Sequence, residues 1–282
     1  MHLPPILSHY QVAPILEARR KGQPTVTTSL DLGRSSVELS LMPGGLLLPD
    51  GHEVDWATLE KIKRDENKCF TIEDGNIAPI IVHSPTTNWV RTLYPTAAAP
   101  TTLVAGFLMH RIKDIDPLQD TRRKIAALAP ISGNVLDTAT GLGYTAIEAG
   151  RTASHVTTIE LDPGALEIAR LNPWSQELFD NPKISQIIGD TAEVIQQFAA
   201  GHFDRILHDP PTLSLGGELY SAAFYAQLYR VLRRGGRLFH YIGDLSSNYG
   251  SRTVKGVTRR LQEVGFSRVT RKDEAFGLVA GK

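Results

Sequence analysis

From Pro130 to the end, the chain repeats one pattern: a short apolar run, a polar or glycine-containing loop, and an amphipathic stretch. Runs that alternate with helical patterns predict a doubly wound, mostly parallel α/β sheet, because parallel neighbours need a helical crossover. Four of the runs lead into an acid. Val135-Leu136 runs into Asp137, His155 to Ile159 into Glu160, Ile184 to Ile188 into Gly189-Asp190, and Phe203 to Leu207 into His208-Asp209. In an open sheet of this kind, ligands bind in the crevice outside the carboxyl ends of the strands. The pattern therefore predicts that Asp137, Glu160, Asp190 and Asp209 gather on one rim.

The loop after the first run, Thr138-Ala139-Thr140-Gly141-Leu142-Gly143, passes into a helix start at Tyr144. Glycines let the backbone approach a ligand closely, and the following helix N-terminus presents free N–H groups. Glu160 lies 17 residues beyond Gly143, where an acid can accept from both hydroxyls of a ribose. Capping of the next helix is left to Asp162, ahead of Pro163. Asp190 suits either contact with an adenine amino group or capping of a helix over Ala192 to Phe198. Gly141-x-Gly143-x-x-Ala146 also fits a dinucleotide site, so a nicotinamide-dependent oxidoreductase stays open at this point. In Asp209-Pro210-Pro211-Thr212 the two prolines force an extended, rigid turn that aims Asp209 and the Pro210 carbonyl into the crevice.

Together these residues resemble class I S-adenosylmethionine-dependent methyltransferases over about residues 131 to 282. Asp137 to Gly143 is similar to their glycine motif, with Ala139 where the first glycine is usual. The likeness implies a Rossmann-like sheet of seven strands that closes in an antiparallel hairpin, with Gly235 to Tyr241 as strand five, Val269 in one arm of the hairpin and Phe276 to Ala280 in the other. It implies S-adenosylmethionine as cofactor, held by Asp137, Thr138, Ala139, Gly141, Gly143, Glu160, Leu161, Asp190, Thr191 and Asp209. Asp209-Pro210-Pro211 resembles the (D/N)PP(Y/F) motif of enzymes that methylate nitrogen, which implies that Asp209 and the Pro210 carbonyl receive the acceptor, with Tyr241 in the same pocket. Thr212 stands where that motif has an aromatic residue to stack on a planar target. Leu219-Tyr220-Ser221-x-x-Phe224-Tyr225 and Leu228 to Leu238 are similar to spermidine synthases, which transfer an aminopropyl group. Their glycine loop carries an acid, and Gly141-Leu142-Gly143-Tyr144 carries none. Pro95-Thr96 and Met109-His110-Arg111 resemble archaeal-type methyltransferases of unassigned substrate.

The reading divides the chain into a small β-rich N-terminal domain over 1 to 95, a helical connector over 96 to 130 and the cofactor-binding domain over 131 to 282. In the first, Thr25 to Leu32 and Val37 to Met42 flank a Gly33-Arg34-Ser35 turn as a hairpin, Asp55 caps a helix bearing Trp56, Leu59 and Ile62, and Cys69 to Ile72 and Ile77 to His83 are strands. This part serves as a substrate-shaping lid or as a dimerisation module of a homodimer. Leu103, Val104, Phe107 and Leu108 predict a helix from Thr101 to Lys113, with His110 and Arg111 near its end, and a second helix spans Leu118 to Leu128.

With 30 basic and 30 acidic residues, no global field directs the chain to nucleic acid or an anionic membrane. The halves of the core are polarised: residues 131 to 211 hold 4 basic and 11 acidic side chains, and residues 212 to 282 hold 12 and 5. No apolar stretch approaches the roughly 20 residues that span a bilayer. The single cysteine, Cys69, excludes an internal disulfide, suits a cytoplasmic protein and reads as a buried small residue. No metal is expected. His208 alternates away from Asp209 and reads as a packed histidine. The methyl acceptor is unassigned, a small molecule ahead of protein or RNA.

Overall fold

The computed structural model describes residues 3–213 and 215–282. The chain divides into two units, Met1–Pro117 with Glu167–Gln176, and Leu118–Leu166 with Glu177–Lys282.

The second unit is built on β1 (Asn134–Asp137), β2 (His155–Glu160), β3 (Ile184–Ile188), β4 (Phe203–His208), β5 (Leu232–Tyr241), β6 (Ser267–Lys272) and β7 (Gly277–Gly281). These strands form one seven-stranded sheet in the order β3-β2-β1-β4-β5-β7-β6. The first five are parallel, and β7 runs antiparallel between β5 and β6. The chain order reverses between β1 and β4, which opens a crevice at their carboxyl ends. Val135 and Leu136 are fully buried, as befits a central strand covered on both faces.

Helices α1 (Pro117–Leu128), α2 (Tyr144–Gly150), α3 (Pro163–Leu171), α4 (Thr191–Val194), α5 (Ala222–Val231) and α6 (Asn248–Glu263) accompany the sheet. Ser221 caps α5 by accepting from the Phe224 N–H, and the helix buries Phe224, Tyr225, Leu228 and Val231. Ser247 caps α6, whose buried stripe is Val254, Val257 and Leu261, opposite the exposed Arg252, Lys255 and Arg259. These stripes join Phe203, Ile206 and Leu238 in one core cluster. Each large apolar side chain buried there contributes about 1.5–3 kcal/mol. The helix expected over 192 to 198 is shorter: α4 gives way to a 3-10 turn at Ile195–Gln197.

The first unit holds a helix, His9–Arg20, that begins at a capping box between Ser8 and Gln11. The hairpin expected after residue 25 pairs Thr25–Thr28 with Val37–Ser40. Asp55 caps the helix Trp56–Arg64, and its Leu59 and Ile62 are buried. Residues 101 to 113 correct the reading. Thr101–Val104 and Phe107–Leu108 are strands of an antiparallel pair, turning through Ala105 (φ 47°) and Gly106 (φ 88°). Positive φ at both central residues marks the two-residue hairpin turn whose twist matches its strands. Leu103 faces Leu108 and Val104 faces Phe107. Apolar residues at i, i+1, i+4 and i+5 satisfy such a hairpin as well as a helix. His110 and Arg111 therefore follow a strand, and His110 Nδ1 lies 2.9 Å from Thr101 Oγ1.

Residues 167–176 belong with the first unit through two long-range bonds: Trp174 Nε1 donates to the Leu32 carbonyl (3.1 Å) and Arg34 Nη1 to the Pro173 carbonyl (2.7 Å). Among the described residues, no helix is long and apolar enough to cross a membrane.

Candidate active site

At the carboxyl end of β1, Asp137 is wholly buried. Its Oδ2 accepts from Thr145 Oγ1 (2.9 Å) and Thr158 Oγ1 (3.2 Å). Oδ1 has no hydrogen-bond partner among the described residues. Burial disfavours the charged form more strongly than the Thr145 hydroxyl supports it, and nearby Asp209 adds repulsion, so the carboxyl is pushed up to about 7.

The loop that follows is tied down on both sides. Thr138 donates its N–H to the Leu207 carbonyl (3.0 Å), and its Oγ1 lies 2.7 Å from His208 Nδ1. The two glycines have different reasons. Gly143, at φ 77°, would place a Cβ 2.6 Å from Leu178 Cδ2, so packing demands it. Gly141, at φ 53°, has no atom within 4 Å of where a Cβ would stand, and it is half-exposed along with Ala139. Open space lies before the backbone there.

Glu160 closes over this loop. Its Oε2 accepts from the Gly141 N–H (2.8 Å), its Oε1 from the Asp162 N–H (3.0 Å), and its carbonyl from the Gly189 N–H (2.9 Å). Asp162 caps α3 through the Gly164 N–H (2.9 Å), leaving that task off Glu160. Two apolar side chains at this edge face solvent, Leu161 at 45% and Ile188 at 57% exposure. Asp190 caps α4, accepting from the Ala192 N–H at 2.8 Å. Thr191 is buried and donates to the Thr138 carbonyl (2.7 Å).

Asp209, just past β4, is held by a residue from outside the motifs. Lys124 of α1 donates to its Oδ2 at 2.6 Å, lies 3.0 Å from Asp120 Oδ2, and sits 4.4 Å from the centre of the Tyr241 ring. The Lys124 side chain is 1% exposed, and Asp209 keeps 17%. Burial opposes the ammonium, yet the carboxylates of Asp209 and Asp120 outweigh it and raise its proton affinity. Burial also pushes the Asp209 carboxyl up, against the pull of Lys124. The sequence reading reached Asp209, Pro210 and Tyr241 but not Asp120 or Lys124. Their i,i+4 spacing was the available signal, and it is also the spacing of a solvated helix pair. Pro210 is buried, and the neighbouring Pro211 carbonyl accepts from the Tyr220 hydroxyl (3.1 Å).

His208 faces away from the crevice. It is fully buried, its Nε2 donates to the Leu219 carbonyl (3.0 Å), and its ring lies 4.4 Å from that of His240. The donation from Nε2 leaves Nδ1 to accept from Thr138. Burial holds the imidazole down to about 3, so it is neutral at physiological pH. It links the glycine loop to the segment after the proline turn.

The chain is 45% identical over 236 residues to the uncharacterized protein MJ1233 of Methanocaldococcus jannaschii, a match that covers 83% of this chain and 80% of that protein. It belongs to that protein's family. Residues 124–217 also match the family described as conserved hypothetical protein 95. Putrescine N-methyltransferase 4 of Nicotiana tabacum is 26% identical over 100 residues, which is 34% of this chain and 26% of that enzyme's length. Among solved structures, spermidine synthase from Thermotoga maritima aligns with a TM-score of 0.55 at 19% identity, covering 79% of this chain and 82% of that one. The fold is thus the one shared by class I methyltransferases and spermidine synthases.

Proposed function

We propose that this protein is an S-adenosylmethionine-dependent methyltransferase that acts on a nitrogen of its acceptor. The observation that carries the reading is the rim itself: Gly141 with open space before it, Glu160 bound to that loop, and Asp209 pinned at the end of β4.

The residues present fit an adenosyl sulfonium. Asp137 Oδ1 is a buried acceptor with no hydrogen-bond partner among the described residues, and buried polar atoms of that kind call for a partner. A cationic ligand nearby would favour its ionised form. Glu160 would accept from ribose hydroxyls, Leu161 and Ile188 would offer apolar cover for a base, and Asp190 and Thr191 would border the same edge. Asp137, Thr138, Ala139, Gly141 and Gly143 would hold the remainder of the cofactor. When bound, it supplies a methyl carbon already activated by positive sulfur. The protein's part is to align the acceptor nitrogen, exclude water and take up a proton. Asp209 orients the nitrogen or accepts its proton, the Pro210 carbonyl aligns it, and Tyr241 walls the pocket.

Aminopropyl transfer is the second reading, supported by the similarity to spermidine synthase. The glycine loop Gly141 to Tyr144 has no acid, and this favours the methyl donor. Radiolabelled S-adenosylmethionine incubated with the protein and a cell extract tests the proposal: label from the methyl group enters a small-molecule, protein or RNA fraction only when the protein is present. Label that enters only from the aminopropyl chain of the decarboxylated form replaces the first reading with the second. A preference for NAD over both sulfonium compounds rejects them together.

A further inference from the structure

The group that grips Asp209 comes from a helix outside every motif. Lys124 is 1% exposed and Asp120, one turn earlier on α1, is fully buried. Taking an ammonium out of water costs several kcal/mol unless it is paired and hydrogen-bonded. Asp120 is already a partner on the same helix, at 3.0 Å, yet Lys124 makes its shorter contact, 2.6 Å, with Asp209 85 residues away. That contact engages Oδ2, and no hydrogen bond among the described residues engages Oδ1. Tyr241, 4.4 Å from the ammonium, completes its surroundings on the β5 side.

We propose that Lys124 is a positioning residue for the transfer reaction: by holding Oδ2 it fixes the Asp209 carboxylate in one orientation, with Oδ1 presented to the acceptor. The proposal rests on the reading of Asp209 given above. The groups that face Asp209 are Lys124 and Asp120 from α1, Asp137 from β1 and Tyr220 from the turn Gly217–Tyr220, while Tyr241 of β5 packs on the Lys124 ammonium. Of these, only Lys124 carries positive charge. Its charge therefore also favours the ionised form of Asp209, against burial and the Asp120 carboxylate, and it is this form whose Oδ1 can accept a hydrogen bond or a proton.

Carbon-13 carboxyl NMR of aspartate-labelled protein tests this without a known acceptor, with the Asp209 signal identified by its loss in Asp209→Asn. In Lys124→Met the Asp209 midpoint is expected to rise by about one pH unit or more, because the cation that holds it is gone. Lys124→Arg restores most of the wild-type midpoint, and Asp120→Asn lowers it by removing the competing acid. An unmoved midpoint in Lys124→Met overturns the proposal. Should that variant fail to fold, Asp120→Asn decides, and an unmoved midpoint there overturns it equally. In the label-transfer assay, the acid limb of the Lys124→Met pH profile shifts upward in step with the NMR midpoint, and an unshifted limb counts against the proposal. If wild-type protein transfers no label at all, the functional reading fails, while the NMR midpoints still report whether Lys124 controls Asp209.

Discussion

Asp137→Asn exchanges a buried carboxyl for an amide of the same shape, and the structure fixes both the sign and the size of the effect. The Asp137 carboxyl moves from an ordinary 3.8 to about 7 on folding. Between those values the folded protein holds a proton that the unfolded chain has released, so stability falls as pH rises across that window. The penalty reaches about 4 kcal/mol at pH 8 and stands at about 1.5 kcal/mol at pH 5. The amide carries no charge and can still accept from Thr145, and an NH₂ buried without an acceptor at the place of Oδ1 costs about 1–3 kcal/mol at every pH. Relative to wild type, the variant is therefore expected to gain about 3 kcal/mol between pH 5 and pH 8. It is near neutral or slightly destabilised at pH 5 and more stable than wild type at pH 8. Urea unfolding followed by tryptophan fluorescence at both pH values measures this. A difference from wild type that stays constant to within about 0.5 kcal/mol refutes the reasoning, because the penalty would then not be electrostatic. A fold that retains a destabilising acid at neutral pH points to a use for it, and charge-shifted groups in clefts gather at functional sites.

Gly143→Ala is expected to lose about 1–3 kcal/mol in the same urea assay, from overlap with Leu178 and the left-handed backbone. Gly141→Ala, which meets no atom, loses about 1 kcal/mol from backbone strain alone and weakens cofactor binding more than stability. His208 is held down to about 3 by burial, so as pH falls through 6.5 the unfolded chain takes a proton that the fold refuses, and stability drops. His208→Gln can keep both hydrogen bonds without titrating, so a plot of its melting temperature against pH is flatter below pH 6.5, and an acid limb as steep as wild type counts against the assignment.

The core was legible because each parallel strand is a short apolar run bounded by glycine, proline or an acid, and because loops at the carboxyl ends must share one edge. That pattern located β1 to β4, and simple alternation separated His208 from Asp209, whereas the antiparallel hairpin of β6 and β7 was implied by the family likeness. It did not find Lys124. A buried lysine looks like a surface one in sequence, since its partner Asp209 lies 85 residues on and becomes a neighbour only after the sheet assembles. Thr101 to Leu108 was misread because the spacing of four apolar residues fits two periods, and Ala105-Gly106 gives weaker turn evidence than asparagine with glycine. The helix His9–Arg20 went unread because Pro14 sits inside it, and proline usually ends a helix. The attachment of residues 167–176 to the first unit depends on two long-range bonds to main-chain carbonyls, which no local pattern announces.

Calorimetric titration of wild-type protein and Glu160→Ala with S-adenosylmethionine bears most directly on the account. Wild type should bind saturably, and the variant, at a temperature where both proteins are fully folded, should bind at least about tenfold more weakly, about 1.4 kcal/mol. Absence of binding to wild type, or equal binding by both proteins, contradicts the claim that the carboxyl edge of this sheet grips an adenosyl group.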